Sequence, residues 1–246
     1  MNFTKYNTSA EISVKYDEGL RAYMLQIFNL MAVALAITGV VAFIAGNSEA
    51  FMNMIYSQNA NGSMGLSPIG WMVMLSPLFM VFFLSYKIYS MSVQAAQTTF
   101  GVYAVLMGLS LAPMFLAYTG ESIARTFFVT ASVFGTMSIY GYSTKRSLTS
   151  FGSFLMMGII GILIASVVNI FMASSVLGFA ISVIGVLIFT GLTAYDVQAL
   201  KEIYLQAARM DSDTKSKIAI HGALKLYLDF INLFLMLLRL FGSRRD

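Results

Sequence analysis

The sequence predicts an all-α integral membrane protein, a seven-helix bundle whose C-terminal helix is enclosed by the other six. Of its 246 residues, 58% are hydrophobic and only 11% are charged, whereas soluble domains carry about 25% charged residues. Its apolar runs have roughly the 20 residues that a helix needs to cross the hydrocarbon layer, about twice the length of a membrane β-strand. The last long run contains Lys225 and Asp229. Each charge costs at least about 2.5–3.5 kcal/mol at membrane depth, so this helix is expected to face protein.

The elements follow in chain order. Residues 1–21 are polar and mixed in charge, and they lack the parts of a secretory signal peptide. They predict a cytoplasmic N-terminal lead, followed by one transmembrane domain over residues 22–246. Six apolar spans are predicted before the charged helix at about 220–241, and they cover residues 22–45, 69–89, 98–118, 126–142, 151–172 and 176–195.

The basic residues predict the orientation of a multi-pass protein. The loop at 46–67 contains no Lys or Arg, and the loops on that side hold Arg125 alone. Because basic loops remain in the cytoplasm, the N-terminus is predicted to be cytoplasmic. Ten basic residues fall on the same side as the N-terminus, namely Lys5, Lys15, Arg21, Lys87, Lys145, Arg146, Lys201, Arg209, Lys215 and Lys217.

The C-terminal segment leaves two alternatives. A full seventh crossing would place Arg239, Arg244 and Arg245 outside the cytoplasm, against the charge rule. A segment that breaks or returns would keep these arginines inside. Residues 219–241 contain no Pro and no internal Gly beyond Gly222, which favours a full helix, and the side of the C-terminus stays open.

Two acids are the candidate metal or cation site. Asp196 ends the sixth span, and Asp229 lies about 15 Å along the seventh helix. Two carboxyl groups that meet out of water cannot both ionise easily, so they share a proton. Their oxygens suit Ca²⁺, although backbone carbonyls or waters must complete a shell of 6–8 oxygens. The alternatives are a headgroup-level acid at Asp196 and a structural ion pair of Asp229 with Lys225, one turn earlier.

Three further residues are candidates for a gate or latch. Lys225 lies beside Asp229, and His221, the single histidine, lies one turn before Lys225 and can titrate with pH. Lys87 closes the second span. Interfacial solvation of His221 and snorkelling of Lys87 to the membrane surface are the alternative interpretations. No cofactor is predicted, and Ca²⁺ is expected only as a bound or transported ion.

Several functional classes are excluded or disfavoured. Without cysteine and with one histidine, the chain has no disulfide, no cysteine–metal site and no multi-histidine centre. The motifs HExxH, GxSxG and GxxxxGK[ST] are absent, so no enzyme is predicted. An intramembrane aspartyl protease would need GxGD, whereas Asp196 follows Thr-Ala-Tyr. No basic run with interleaved aromatics indicates nucleic-acid binding.

Four stretches carry a family resemblance: YAVLMGLSLAPMF at 103–115, a 44-residue run at 128–171 that contains IYGYSTKRSL, TAYDVQALK at 193–201 and ALKLYLDFINLFLMLLRLFG at 223–242. Together they resemble the Bax inhibitor / transmembrane BAX-inhibitor-motif family in a bacterial form. The resemblance implies a seven-helix fold around the last helix, a bacterial inner-membrane location and a proton-sensitive Ca²⁺ leak.

The same resemblance implies site residues. An acid ending the sixth helix and an acid within the seventh form a hydrogen-bonded pair, which corresponds to Asp196 and Asp229. A basic latch near the end of the second helix corresponds most nearly to Lys87. Lys225 departs from the family pattern, because a fixed ammonium one turn from Asp229 disfavours a divalent cation.

Two functional hypotheses follow. The first is a pH-gated cation leak, for Ca²⁺ above all, gated by the aspartate pair. The alternative is a regulatory membrane protein that binds other membrane proteins, for example a membrane protease. Lys225 and the polar N-terminal lead motivate this alternative.

Overall fold

The computed structural model describes the backbone of residues 3–58, 64–207 and 210–245, and side chains from residue 18 onward. Part of the predicted N-terminal lead and Arg209 therefore lie outside the described residues. The helices are α1 (Phe3–Gly46), α2 (Glu49–Ile55), α3 (Pro68–Lys87), α4 (Val93–Leu111), α5 (Met114–Ala117), α6 (Gly120–Ser143), α7 (Thr149–Met172), α8 (Ser175–Ala207) and α9 (Ser212–Phe241). A short antiparallel hairpin joins β1 (Tyr56–Gln58) to β2 (Met64–Leu66).

Six helices of the described part are long and apolar enough to cross a membrane, and each overlaps one predicted span. The all-α membrane class is thereby confirmed. These segments are Glu18–Gly46, Pro68–Lys87, Val93–Ala117, Gly120–Ser143, Thr149–Met172 and Ser175–Ala207.

Two helices extend beyond the predicted spans. Helix α1 begins at Phe3, so it includes most of the predicted lead. Helix α8 continues from the predicted end at residue 195 to Ala207. Two polar residues of this extension bond to other parts of the chain: Gln198 to the segment between α6 and α7, and Lys201 to the last turn of α6.

Short polar side chains begin several of these helices. Ser48, Ser67, Ser92 and Thr119 each accept a hydrogen bond from a backbone N–H of the first turn, which satisfies a donor that the helix leaves free. Asp211 caps α9 by accepting from Thr214 N at 2.9 Å. This hydrogen bond holds the pKa of the Asp211 carboxyl below its usual range.

The turn between α7 and α8 is tight. Ala173 adopts a left-handed conformation with φ 49°, which favours glycine and ends α7. Asn169 stabilises this turn, because its carbonyl oxygen accepts from Ala173 N and its Oδ1 accepts from Ser174 N at 3.0 Å. Only two residues therefore separate the two helices, which run antiparallel.

Helix α9 forms the centre of the packing. It contacts α1, α4, α6 and α8, and its buried residues are spread around most of its circumference. A helix that is buried on nearly every side belongs to a protein core. The buried residues are Ala219, Ile220, Gly222, Ala223, Leu224, Leu226, Tyr227, Asp229, Phe230, Ile231, Leu233, Phe234, Met236, Leu237 and Leu238.

Helix α9 runs from one end of the bundle to the other. Near its start, Lys217 Nζ donates to Tyr89 O, in the turn between α3 and α4, at 3.3 Å. After its end, Ser243 O accepts from Thr119 N at 3.1 Å, just before α6. Because α4 separates these two turns, the C-terminal tail lies at the opposite end from Tyr89. The full-length alternative for this helix therefore agrees with the described backbone.

Candidate functional site

The structure brings Asp196 and Asp229 together in the bundle interior. Asp196 lies on α8 and is 1% exposed, and Asp229 lies on α9 and is 6% exposed. Their carboxyl groups lie close enough for their charges to interact. The two acids thus share one buried position between neighbouring helices.

Close packing around the pair fixes the backbone on both sides. Gly141 of α6 lies against the carbonyl of Ala194, and a Cβ at residue 141 would collide with that carbonyl oxygen. On α9, the Tyr227 hydroxyl donates to Thr38 Oγ1 at 2.6 Å, and Thr38 Oγ1 donates to Ala104 O at 2.9 Å. Both anchors lie two residues before an aspartate, so they restrict where each carboxyl can move.

Lys225 completes the cluster. Its Nζ lies 2.7 Å from Asp196 Oδ1, and its side chain is 44% exposed whereas Asp196 is 1% exposed. The ammonium also lies 5.7 Å from the centre of the Tyr195 ring. The close ion pair therefore joins α9 to α8. The alternative ion pair within α9, between Lys225 and Asp229, is not the close contact, because the long lysine stem reaches across to α8.

The carboxylate oxygens lack conventional donors. Apart from the Lys225 ammonium beside Asp196 Oδ1, no group among the described residues donates to Asp196 Oδ2 or to Asp229 Oδ2. Ionised carboxylates only accept hydrogen bonds, so two that face each other need one proton to bond. With one shared proton the cluster of two acids and Lys225 is neutral, and without that proton it carries one net negative charge.

The other two candidates lie outside the cluster. His221 is half-buried, and its ring centre lies 6.4 Å from that of Tyr89. Lys87 is exposed and its Nζ lies 5.8 Å from the Tyr86 ring centre. In the described part of the chain, Lys225 rather than Lys87 is the basic residue beside Asp196. The latch role of Lys87 and the titrating role of His221 stay predictions.

Two residues that were not predicted from the sequence connect α8 to the end of α6 and to the segment that follows it. Gln198 accepts from Leu148 N at 2.7 Å and donates to Arg146 O at 2.9 Å. Lys201 Nζ donates to Tyr142 O at 3.1 Å. The sequence pattern that could have indicated these contacts is a Gln and a Lys, three residues apart, shortly after Asp196. The predicted span ended before both residues.

The donor set limits what metal the cluster can hold. No group of three or more His, Asp or Glu side chains with metal-site geometry occurs among the residues that the structure describes. Asp196 and Asp229 supply four carboxylate oxygens at most, whereas Ca²⁺ takes 6–8. Backbone carbonyls and waters would have to supply the rest, which suits a weakly held, exchanging ion better than a resident one.

A large cavity approaches the aspartates from the other end of the bundle. It measures about 840 Å³ and lies among α7, α8 and α9. Its lining residues nearest to the aspartates along the chain are Phe189 on α8 and Asn232 on α9. Asn232 is three residues beyond Asp229, about 4.5 Å along the helix axis. Leu192 and Thr193, both buried, separate Phe189 from Asp196 along α8.

Comparisons with known proteins place this site in a family context. The family described as inhibitor of apoptosis-promoting Bax1 matches residues 20–246. Protein RP147 of Rickettsia prowazekii is 46% identical over 246 residues, which cover 100% of both chains. Inner membrane protein YbhL of Escherichia coli K12 is 46% identical over 227 residues, which cover 92% of this chain and 94% of YbhL. A Caulobacter vibrioides protein is 41% identical over 237 residues, covering 96% and 94%.

The matched region includes all six candidate membrane spans, apart from the first two residues of the first one, and all residues of the aspartate cluster. The identities extend over nearly the whole length of the relatives. The predicted family is thus confirmed, and the chain belongs to the Bax inhibitor family of membrane proteins.

Proposed function

We propose that this protein is a pH-sensitive leak for cations, Ca²⁺ above all, across the bacterial inner membrane, and that Asp196 and Asp229 form its gate. One observation carries the proposal: two buried acids from α8 and α9 meet in the bundle interior. Ionisable groups inside a membrane bundle are costly, and they typically mark ion or proton pathways. We assign no enzymatic activity to the chain.

The proposal includes a membrane arrangement. Helix α9 is the seventh membrane helix, packed against four of the six apolar spans, α1, α4, α6 and α8, and the N-terminus is cytoplasmic. The burial of α9 on most sides and its end-to-end course support this arrangement. The name of YbhL, an inner membrane protein, supports the location.

The gate follows from the charge of the cluster. With a shared proton, the carboxyl groups attract each other and hold α8 against α9. When the proton leaves, the two carboxylates repel each other, by an energy on the order of a few kcal/mol at an effective dielectric constant of about 20. The cluster then carries a net negative charge, which favours a cation. Cation flux should therefore rise as pH rises and fall as pH falls.

The proposed path of the cation through the bundle has two parts. At one end, the half-exposed Lys225 side chain places the pair next to the bundle surface. At the other end, the 840 Å³ cavity reaches within one helical turn of Asp229. Leu192 and Thr193 close the gap on α8, so opening requires a small displacement of α8 from α9 near the pair.

The test is Ca²⁺ flux into liposomes that contain the purified protein and an internal Ca²⁺ dye, measured from acidic to alkaline pH. Asp196→Asn together with Asp229→Asn should abolish both the flux and its pH dependence, because neither amide loses a proton. Asp213→Asn is the matched control, since Asp213 is an exposed acid in the first turn of α9. Flux with an unchanged pH profile in the double variant would place the gate elsewhere.

A second function is favoured by the close ion pair. Lys225 neutralises Asp196 at 2.7 Å, which suits a structural cluster in a regulatory protein that binds a membrane protease or another membrane protein. Under this hypothesis the polar N-terminal lead carries the contact. Deletion of residues 2–16 should then abolish co-purification of partners after crosslinking in cells. Partners retained without the lead, together with Ca²⁺ flux in liposomes, would reject this second function.

A further inference from the structure

The cleft between α7 and α9 has a largely apolar lining that also contains two arginines and two asparagines, at the end of the bundle far from Lys225. Helix α7 packs mainly against α8, so a gap of about 840 Å³ opens beside α9. Arg239 and Arg244 line this gap, and neither Asp nor Glu does. Within the described residues, neither arginine forms an ion pair. The cleft therefore carries two positive charges that have no acidic partner in the described part of the chain.

Helix and side-chain dipoles add to this positive character. The first turn of α8 lines the cleft through Ser175 and Gly178, and Ser174 lies just before it. A helix N-terminus carries a partial positive charge. Asn169 and Asn232 contribute amide groups to the same lining. Asn169 uses its oxygen to accept from Ser174 N, which leaves its amide N–H groups as donors. These groups together match an anion with several acceptor oxygens.

The cleft also has an apolar rim. Leu163, Ile170 and Phe179 line it and are 59%, 76% and 63% exposed. These side chains belong to the outer surface of α7 and α8, which is apolar along its length. The cleft thus opens sideways onto the surface that faces lipid. A ligand that fits both parts has an anionic head and apolar chains, and the volume lies within the range of about 300–1,000 Å³ of small-ligand sites.

The position of the arginines strengthens this argument. The C-terminal tail lies at the end of the bundle where the loops are otherwise nearly free of basic residues. Basic residues of membrane proteins are concentrated in the cytoplasmic loops. Arginines at the opposite end therefore indicate a local anionic partner. A phosphate group binds arginine through paired N–H···O bonds.

We propose that this cleft binds the phosphate group of an anionic phospholipid. Arg239 and Arg244 hold the phosphate, the asparagines and the first turn of α8 contact the head, and the acyl chains lie over Leu163, Ile170 and Phe179. This site goes beyond the proposed leak, since it concerns the opposite end of the molecule and needs no ion flux. Free inorganic phosphate shares the head chemistry but lacks the chains.

The test is native mass spectrometry of the full chain in detergent, titrated with phosphatidylglycerol or with zwitterionic phosphatidylcholine. Phosphatidylglycerol should bind more tightly, and Arg239→Gln and Arg244→Gln should each weaken it by about tenfold, the equivalent of about 1.4 kcal/mol. Phosphatidylcholine binding should stay unchanged. Arg125→Gln is the matched control, because Arg125 is an exposed arginine at the same end that does not line the cleft.

Two further arms make the outcome decisive. Arg239→Lys keeps the charge but loses the paired donors, so it should weaken binding less than Arg239→Gln does. Inorganic phosphate in large excess should fail to displace phosphatidylglycerol. Displacement by phosphate alone would overturn the lipid assignment. Equal binding of both lipids, or an equal loss in Arg125→Gln, would overturn the site itself. Gel filtration of each variant verifies that it is folded.

Discussion

Helices α7 and α9 differ in polarity and in burial within one bundle. Helix α7 has 24 residues, no charged side chain and two buried residues, Leu155 and Ile162. Helix α9 has 30 residues, contains Lys225 and Asp229, and is buried along most of its length. The more apolar helix is on the outside, and the more polar helix is inside.

The difference shows which side chains favour the interior of this bundle. Lipid chains are as apolar as a protein core, so apolar side chains gain little by leaving lipid for protein. A charged or hydrogen-bonding side chain gains much, because lipid offers it no partner. Lys225, Asp196 and the Thr38–Tyr227 bond place the polar contacts of α9 inside. Polarity, rather than hydrophobicity, therefore selects the central helix.

The largest expected effect is a loss of stability when a cavity is made in α9 rather than in α7. Leu233 on α9 is fully buried, whereas Leu163 on α7 is 59% exposed. Leu233→Ala should lower the free energy of unfolding by about 2–5 kcal/mol, because the lost contacts leave a cavity. Leu163→Ala, the matched control, should cost far less since lipid fills the space. Unfolding in mixed micelles measures both. Similar losses for the two variants would break the comparison.

A smaller effect concerns the cation beside the acids. Lys225→Ser removes the ammonium next to Asp196, so it should strengthen Ca²⁺ binding by about tenfold, or about 1.4 kcal/mol. The measurement is Ca²⁺ titration of the purified protein at the alkaline pH that gives maximal flux. Lys225→Arg keeps the charge and should leave binding nearly unchanged. Weaker Ca²⁺ binding in Lys225→Ser would mean that the lysine helps to form the site.

The smallest effect concerns the segment that Gln198 holds. Gln198→Ala removes hydrogen bonds to Leu148 N and Arg146 O, at a cost of about 0.5 kcal/mol for each. Trypsin should then cleave after Lys145 or Arg146 several times faster. Gln206→Ala changes an exposed glutamine of the same helix and should leave the rate unchanged. An unchanged rate in Gln198→Ala would show that other contacts hold the segment.

The helices were predictable because each depends on local composition. Six spans could be located from apolar length, and Asp196 and Asp229 stood out because charge is rare in such runs. The end of α8 was predicted too early, since Gln198 and Lys201 resemble loop residues until their partners are known. Those partners are Arg146, Leu148 and Tyr142, more than 40 residues earlier in the chain.

The membrane class, the apolar spans, the family and the choice of Asp196 and Asp229 as candidates could be predicted without coordinates. They depend on residue type and on spacing along one helix. Three contacts became known from the packing of the helices alone. Lys225 pairs with Asp196, and the C-terminal tail lies beside Thr119. Arg239 and Arg244 share a cleft with Asn169. The physical reason is that helical spacing fixes which residues share a face, whereas the choice of neighbouring face depends on how all the helices pack together.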